Sequence, residues 1–233
     1  LTMGAILDIV TASFIGGFLL IILLTATDTI TTESYNYHAD AITQQNLSNI
    51  ATIMQADIRK MGFDIPEGSK SQIVQIHNED RLKFIAHLNE FQDYYMHEHG
   101  NLHIDLDPDT IEYRVLPFED ITYWDTTITT YQVIRRAVVS QEVTRTSMIG
   151  VLGNNDVFRY LDKFENDTNN PQLMVIVELT LTAFDPRIIL SKDYVESIVD
   201  TTNGEEYRDR ELRRLLRPSY WRQTRLVSKN LDR

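Results

Sequence analysis

The chain reads as an α+β protein: a long N-terminal helix, membrane-spanning and then amphipathic, packed on a mainly antiparallel β-sheet domain. Two observations carry this. The uncharged stretch Ile9 to Leu24, IVTASFIGGFLLIILL, runs without a helix breaker into a polar segment, and the first proline is Pro66. Beyond that proline the hydrophobic period changes from three-to-four to two, the period of strands. Helix first and strands afterwards suits layered α+β packing, whereas a parallel sheet needs strands and helices in alternation.

The first element is apolar on every side. From Ile6 to Ala26, a rise of about 1.5 Å per residue gives roughly 30 Å, the thickness of a bilayer's hydrocarbon core. A buried central helix would keep a polar face, and Phe18 to Leu24 leaves none. A secretory signal peptide would need a basic segment before the apolar run and a small-residue cleavage site after it; neither is clear. The chain begins with Leu1 rather than Met, so the expectation is either a leader removed upstream or a fragment. Asp8 lies just inside the apolar run, where an ionised carboxylate costs about 2.5–3.5 kcal/mol unless paired or near an interface. It either meets an α-amino group, its own chain's or a neighbour's, or sits solvated at headgroup depth.

Residues 27–63 continue the helix into water. Ile30, Tyr37 and Ala41, then Ile50, Met54, Ile58 and Met61, recur at spacings that form one stripe per segment, and Gly62 supplies a stop. The stripe must pack on something, most simply the domain that follows. A coiled coil is disfavoured, because the heptad is not sustained for three or four repeats.

Residues 64–233 form the β-rich domain. A hairpin is expected from Ser71–His77 and Arg81–Leu88 about the turn Asn78-Glu79-Asp80, with Leu82, Phe84 and Ala86 on one face. A second pair, Asn101–Leu106 and Thr110–Leu116, flanks Asp107-Pro108-Asp109 and turns Ile111, Tyr113 and Val115 inward. Further strands are expected at Thr127–Val139, Asp156–Tyr160, Leu173–Phe184 and Trp221–Leu231. Segments 88–100, 161–172 and 190–210 read as loops or short helices. Trp124, Trp221 and the Tyr94-Tyr95 pair read as core or interface anchors.

Charge narrows the function. The 22 Lys and Arg stand against 34 Asp and Glu, a net of −12, which disfavours nucleic acid as a partner because phosphate-binding surfaces need a positive field. Residues 201–233 carry nine basic and five acidic side chains, a net of +4, leaving −16 for residues 1–200. A basic segment folded back on an acidic body is the simplest expectation. With no cysteine there is no disulfide framework, thiolate metal site or Cys nucleophile. No phosphate loop, G-x-S-x-G elbow or H-E-x-x-H occurs, so the expectation is a protein that is not an enzyme.

Metal sites are weakly signalled. His97 and His99 share one face of a strand, and His103 follows, but Gly100 interrupts a helical reading and zinc needs more ligands; exposed loop histidines are the preferred account. Asp105, Asp107 and Asp109 alternate as oxygen ligands could, and Asn166, Asp167 and Asn170 form another oxygen-rich loop. Calcium takes six to eight oxygens, so turn chemistry is the preferred reading of both.

The arrangement resembles the type IV pilin superfamily, the pilins of bacterial type IV pili and the pseudopilins of type II secretion, and is closest to PilW- and PulJ-like minor subunits. The resemblance rests on the opening helix, on Met54–Phe63 ending it, on Arg81–Ile85 and Thr110–Arg114 as following strands, and on Leu226–Leu231 near the close. It implies a structural subunit in the bacterial inner membrane, with its sheet domain in the periplasm or on a filament. The implied partners are other pilin or pseudopilin subunits, an inner-membrane assembly platform and the lipid bilayer. Some pseudopilins bind calcium, so the resemblance favours a calcium site at Asp105, Asp107 and Asp109 a little more, with turn chemistry still the preferred reading; no other cofactor is expected. A glycine-cutting leader peptidase leaves a mature terminus like Leu1-Thr2-Met3. The family's fifth residue is usually Glu and neutralises a neighbour's amine; here it is Ala5, and the first carboxylate is Asp8. Either Asp8 serves in a different register, or the subunit caps a filament. Leu1, Ala5, Asp8, Ala12, Gly16 and Gly17 are the expected assembly residues, with Gly4 and Ser13 beside them, because small side chains let helix backbones approach. The alternative is a single-pass anchored scaffold or sensor subunit of an envelope complex that forms no filament.

Overall fold

The computed structural model describes residues 3–65, 70–86, 108–124, 126–139, 143–185, 195–196, 204–215, 220–227 and 230. It has two compact units, Leu1–Ile42 and Thr43–Arg233. One helix, α1 (Met3–Arg59), contributes to both. Within the first unit the described large apolar side chains are exposed, from Val10 to Ile42. The expected packing of the stripe's first part is therefore not seen: Ile30 and Tyr37 are 66% and 73% exposed.

In the second unit, the end of α1 supplies Leu47, Ile50, Ala51, Met54 and Ile58 to the main core, and Met61 follows. These spacings of three and four set one side of the helix against apolar partners, each fully buried aliphatic contributing about 1.5–3 kcal/mol. The helix ends as Gly62 implies. Lys60 and Met61 donate their N–H groups three residues back, to Asp57 and Ile58. Gly62 then takes a left-handed φ of 70° and donates to the Ile85 carbonyl at 2.9 Å.

After a short helix α2 (Lys70–Ile73) come, among the described residues, eight strands: β1 (Val74–Asn78), β2 (Arg81–Ala86), β3 (Asp109–Tyr123), β4 (Thr126–Val139), β5 (Val143–Leu152), β6 (Phe158–Leu161), β7 (Ile176–Ala183) and β8 (Tyr220–Val227). Helix α3 (Glu205–Leu215) lies between the last two. Strands β1 to β5 form an antiparallel sheet in sequence order, and β6-β7-β8 form a second, also antiparallel. The α+β class and the antiparallel pattern are as the sequence indicates. The hairpin appears over Val74–Ala86, with Ser71–Ile73 helical instead of strand and 87–88 outside the described residues; the 127–139 strand and the inward residues Leu82, Phe84, Ala86, Ile111, Tyr113 and Val115 also appear, each of those six buried.

Several elements differ from expectation. Strand β5 is unforeseen, because TRTSM carries no apolar alternation; four consecutive side chains from Thr144 to Ser147 are exposed. Strand β3 runs past Leu116 to Tyr123 through a bulge that leaves Phe118 unpaired, Pro117 facing Tyr131 and Glu119 facing Thr130. The extra residue inverts sidedness. Ile121, Tyr123 and Ile128 thus lie on the face opposite Ile111 and Tyr113, where they join Val195 and α3 Leu212 in a second small cluster. The short helix allowed for in segment 190–210 is α3, which starts at Glu205 and extends past the segment to Leu215. Trp221 is 64% and Trp124 40% exposed, so neither is a core anchor; Trp124 instead carries the Arg208 guanidinium 5.6 Å from its ring centre. The expected strand 101–106 and the Tyr94-Tyr95 pair lie outside the described residues.

Both sheets hold a buried glutamate on a central strand. Glu178 of β7 stands between its direct cross-strand partners Arg159 and Arg225, with Arg225 Nε 2.6 Å from Oε2. Burial works to raise its carboxyl pKa, but hydrogen bonds from Arg225 and Gln223 and the two guanidinium charges outweigh it, and the net direction is down. Arg225 also reaches Glu165 at 2.8 Å, so part of the basic C-terminal segment does fold back on acidic neighbours. Glu112 of β3, 3% exposed, accepts from Arg81 Nε and Arg114 Nε at 2.6 Å each. Burial again opposes ionisation and the two arginines again prevail, holding the carboxyl below its usual range.

Candidate functional site

The candidate site is the apolar part of α1. A window of 18 residues or more within Val10–Arg59 reaches a mean hydropathy of 2.1 and is 0% buried, so this helix is long and apolar enough to cross a membrane. The exposure is all-round: consecutive residues Phe18 to Leu24 are each between 59% and 65% exposed. In water such a surface would be costly at about 25 cal/mol per Å² of apolar area. It requires lipid or other apolar helices around it.

The span closes on a threonine ladder. Thr25, Thr27, Thr29 and Thr31 donate their hydroxyls to the carbonyls of Ile21, Leu23, Thr25 and Thr27, at 2.8–2.9 Å. Each hydroxyl is satisfied by its own helix four residues back, so the threonines can lie at the apolar boundary without unpaired donors, and the helix passes intact toward Asp28. Sequence reasoning missed this ladder, although the alternation T-A-T-D-T-I-T at 25–31 was its signal.

Gly16 and Gly17 sit mid-span, and a Cβ built on either, or on Gly4, meets no atom within 4 Å. Their smallness thus serves no packing among the described residues. Ala12 and Ser13 are likewise exposed on the helix. Ala5 and Asp8 lie in the helical backbone, but their side chains are outside the described residues, as is Leu1.

The metal candidates are only partly described. His97, His99, His103, Asp105 and Asp107 lie outside the described residues. Asp109 opens β3 opposite Ala86 and is 6% exposed. In the 162–170 loop the oxygens are occupied by turn chemistry. Asp162 Oδ1 accepts from the backbone N–H of Phe164 and Asn166 at 2.7 and 2.9 Å, and Asn170 Oδ1 accepts from Gln172 N–H at 3.0 Å. The Asn166 backbone bond, working against slight desolvation, lowers the Asp162 pKa. Asp167 pairs with Arg159 at 2.6 Å, which lowers its pKa too. Among the described residues, no group of three His, Asp or Glu side chains is placed to hold a metal ion.

One open cavity of about 940 Å³ lies beside that loop, lined in part by His77, Asp80, Asp156, Arg159 and Tyr160. His77 Nε2 lies 2.7 Å from the Asn169 carbonyl, so Nε2 is the protonated donor; Nδ1 is buried without a partner among the described residues. Tyr160 closes the floor, its hydroxyl donating to the Asn78 carbonyl at 2.9 Å. Burial, aided by the Asp80 charge, pushes its phenol pKa up.

Compared with protein-family models, curated proteins and solved structures, the chain matches none.

Proposed function

We propose that this chain is a non-enzymatic, membrane-inserted structural subunit of a bacterial type IV pilus or type II secretion pseudopilus, a minor subunit in kind, assembling through its N-terminal helix. One observation carries the reading: Gly16 and Gly17 lie in a helix exposed on all sides, with nothing among the described residues to make smallness useful. Small residues in an apolar helix allow close backbone approach to a neighbouring helix, and the surrounding leucines and isoleucines exchange lipid contact for that neighbour. The sheet domain then stays in the aqueous phase, in the periplasm or on the filament.

The test is Gly16→Leu in the full chain. It should abolish incorporation into filaments while membrane insertion and the thermal midpoint of the sheet domain are unchanged. Normal incorporation overturns the packing role. Loss of insertion instead assigns the residue to the anchor alone, which is the behaviour of a single-pass scaffold.

A further inference from the structure

We propose that the outer face of the five-stranded sheet docks the acidic turn Glu79-Asp80, with neighbouring Asp156, of a second copy of this chain. The inner face of that sheet is core. Leu82 and Phe84 on β2 and Ile111 and Tyr113 on β3 are 0% exposed, so by strand alternation Arg81, Lys83, Glu112 and Arg114 share the outer face. The register extends it: Glu112 stands between Lys83 and Arg136, and Arg114 stands between Arg81 and Ile134, with Met148 next in the row. Four cations therefore surround one buried carboxylate, whose short bonds go to Arg81 and Arg114. Lys83 and Arg136 are left without an ion pair among the described residues. This local excess of positive charge sits on a protein whose net charge is −12.

The face also has apolar ground. Leu116 and Met148, 38% and 48% exposed, lie to one side of the cations.

The occupant follows from where exposed carboxylates without a described ion pair are gathered; Asp64, Glu119 and Asp120 also lack one, but the Glu79-Asp80 turn has a third carboxylate, Asp156, brought beside it. Asp57, Glu165, Asp167 and Glu178 are each paired with an arginine. The turn between β1 and β2 is different. Glu79 and Asp80 are exposed, and the Glu79 carbonyl accepts from the N–H groups of Val157 and Phe158 at 2.9 Å, which brings Asp156 alongside. No described ion pair engages these three carboxylates. One copy thus carries both halves of a complementary contact on different surfaces. Such a heterologous contact joins copies head to tail, into a ring or an open filament according to the rotation between them. Its use in a filament rests on the function proposed above; the contact itself does not.

The test uses the full chain in neutral detergent at low salt, with self-association read by sedimentation. Lys83→Glu/Arg136→Glu and, separately, Glu79→Lys/Asp80→Lys should each weaken association at least tenfold, and an equimolar mixture of the two should restore it. Arg136→Gln, which adds no charge, should give a smaller loss in the same direction. Unchanged association in either double variant, or no restoration on mixing, overturns the proposal. So does wild-type binding to phosphatidylglycerol vesicles that the first double variant loses while self-association persists, which would assign the face to anionic lipid. Detergent shields α1, so Gly16→Leu should leave this association intact; a filament defect in Gly16→Leu with no sheet-face association sinks this inference alone.

Discussion

Ile50 on α1 lies against Gly150 on β5 so closely that a Cβ added at position 150 would stand inside the Ile50 side chain, 2.8 Å from its Cγ1. The bare backbone of Gly150 lets the end of the helix approach that strand, and Ile50, 1% exposed, fills the space. Gly150→Ala should destabilise the domain by about 1–3 kcal/mol through overpacking. Ile50→Val in the same chain should recover part of the loss, and a double-mutant cycle in urea measures the coupling. Additive effects would show that the contact is not tight.

Asp57 anchors the last turn of α1. It is 6% exposed, accepts from the Tyr113 hydroxyl, and takes Arg135 Nε at 2.6 Å. Burial, reinforced by the Asp57 charge, raises the Tyr113 pKa; Arg135 is held protonated by Asp57 against its own desolvation. Asp57→Ala leaves a buried guanidinium uncompensated and should cost about 3–5 kcal/mol. Tyr113→Phe removes one hydrogen bond and should cost about 0.5–1.5 kcal/mol, or somewhat more if Asp57 is left under-satisfied. Urea midpoints of the two variants check the order, and an Asp57→Ala loss no larger than that of Tyr113→Phe would show the charge pair to be idle.

Stability should fall in acid through Glu112 and Glu178, whose folded carboxyl pKa values are depressed. Below the unfolded glutamate pKa of about 4.3 the unfolded chain takes up protons that the folded chain refuses, so their contribution is complete above that pH and is lost as pH drops through the folded values. At the alkaline end Tyr113 and Tyr160 are raised. Their contribution is complete below the unfolded tyrosine pKa of about 10 and declines above it. Thermal midpoints from pH 3 to 11 test both limbs; Glu178→Gln should flatten the acid limb, and an unaltered slope would refute its part.

The middle of the apolar run is where a charge tests membrane insertion. Ile21 is 62% exposed and lies outside the core of the sheet domain. Ile21→Asp should therefore cost about 2.5–3.5 kcal/mol of insertion free energy and leave the sheet domain folded. Carbonate extraction of membranes reads the result. Full retention would mean that the helix is not held by lipid.

The apolar helix, its aqueous continuation, the Gly62 stop and the inward residues of β2 and β3 were legible because each depends on local periodicity or on one residue's backbone freedom. Leu82, Phe84, Ile111 and Tyr113 alternate regardless of their partners. Strand β5 was hidden, since an edge strand exposed along Thr144–Ser147 needs no apolar alternation. The threonine ladder was written in the sequence but passed over. Tertiary structure alone decided the rest. It set the Phe118 bulge that turns Ile121 and Tyr123 to the other face, chose the buried partners of Asp57, Glu112 and Glu178, and left Ile30 and Tyr37 exposed while burying Ile50, Met54 and Ile58. Periodicity tells which side chains share a face; whether that face is covered, and which charge meets which, depends on residues far apart in the chain, and pairing there is settled by three-dimensional register and desolvation.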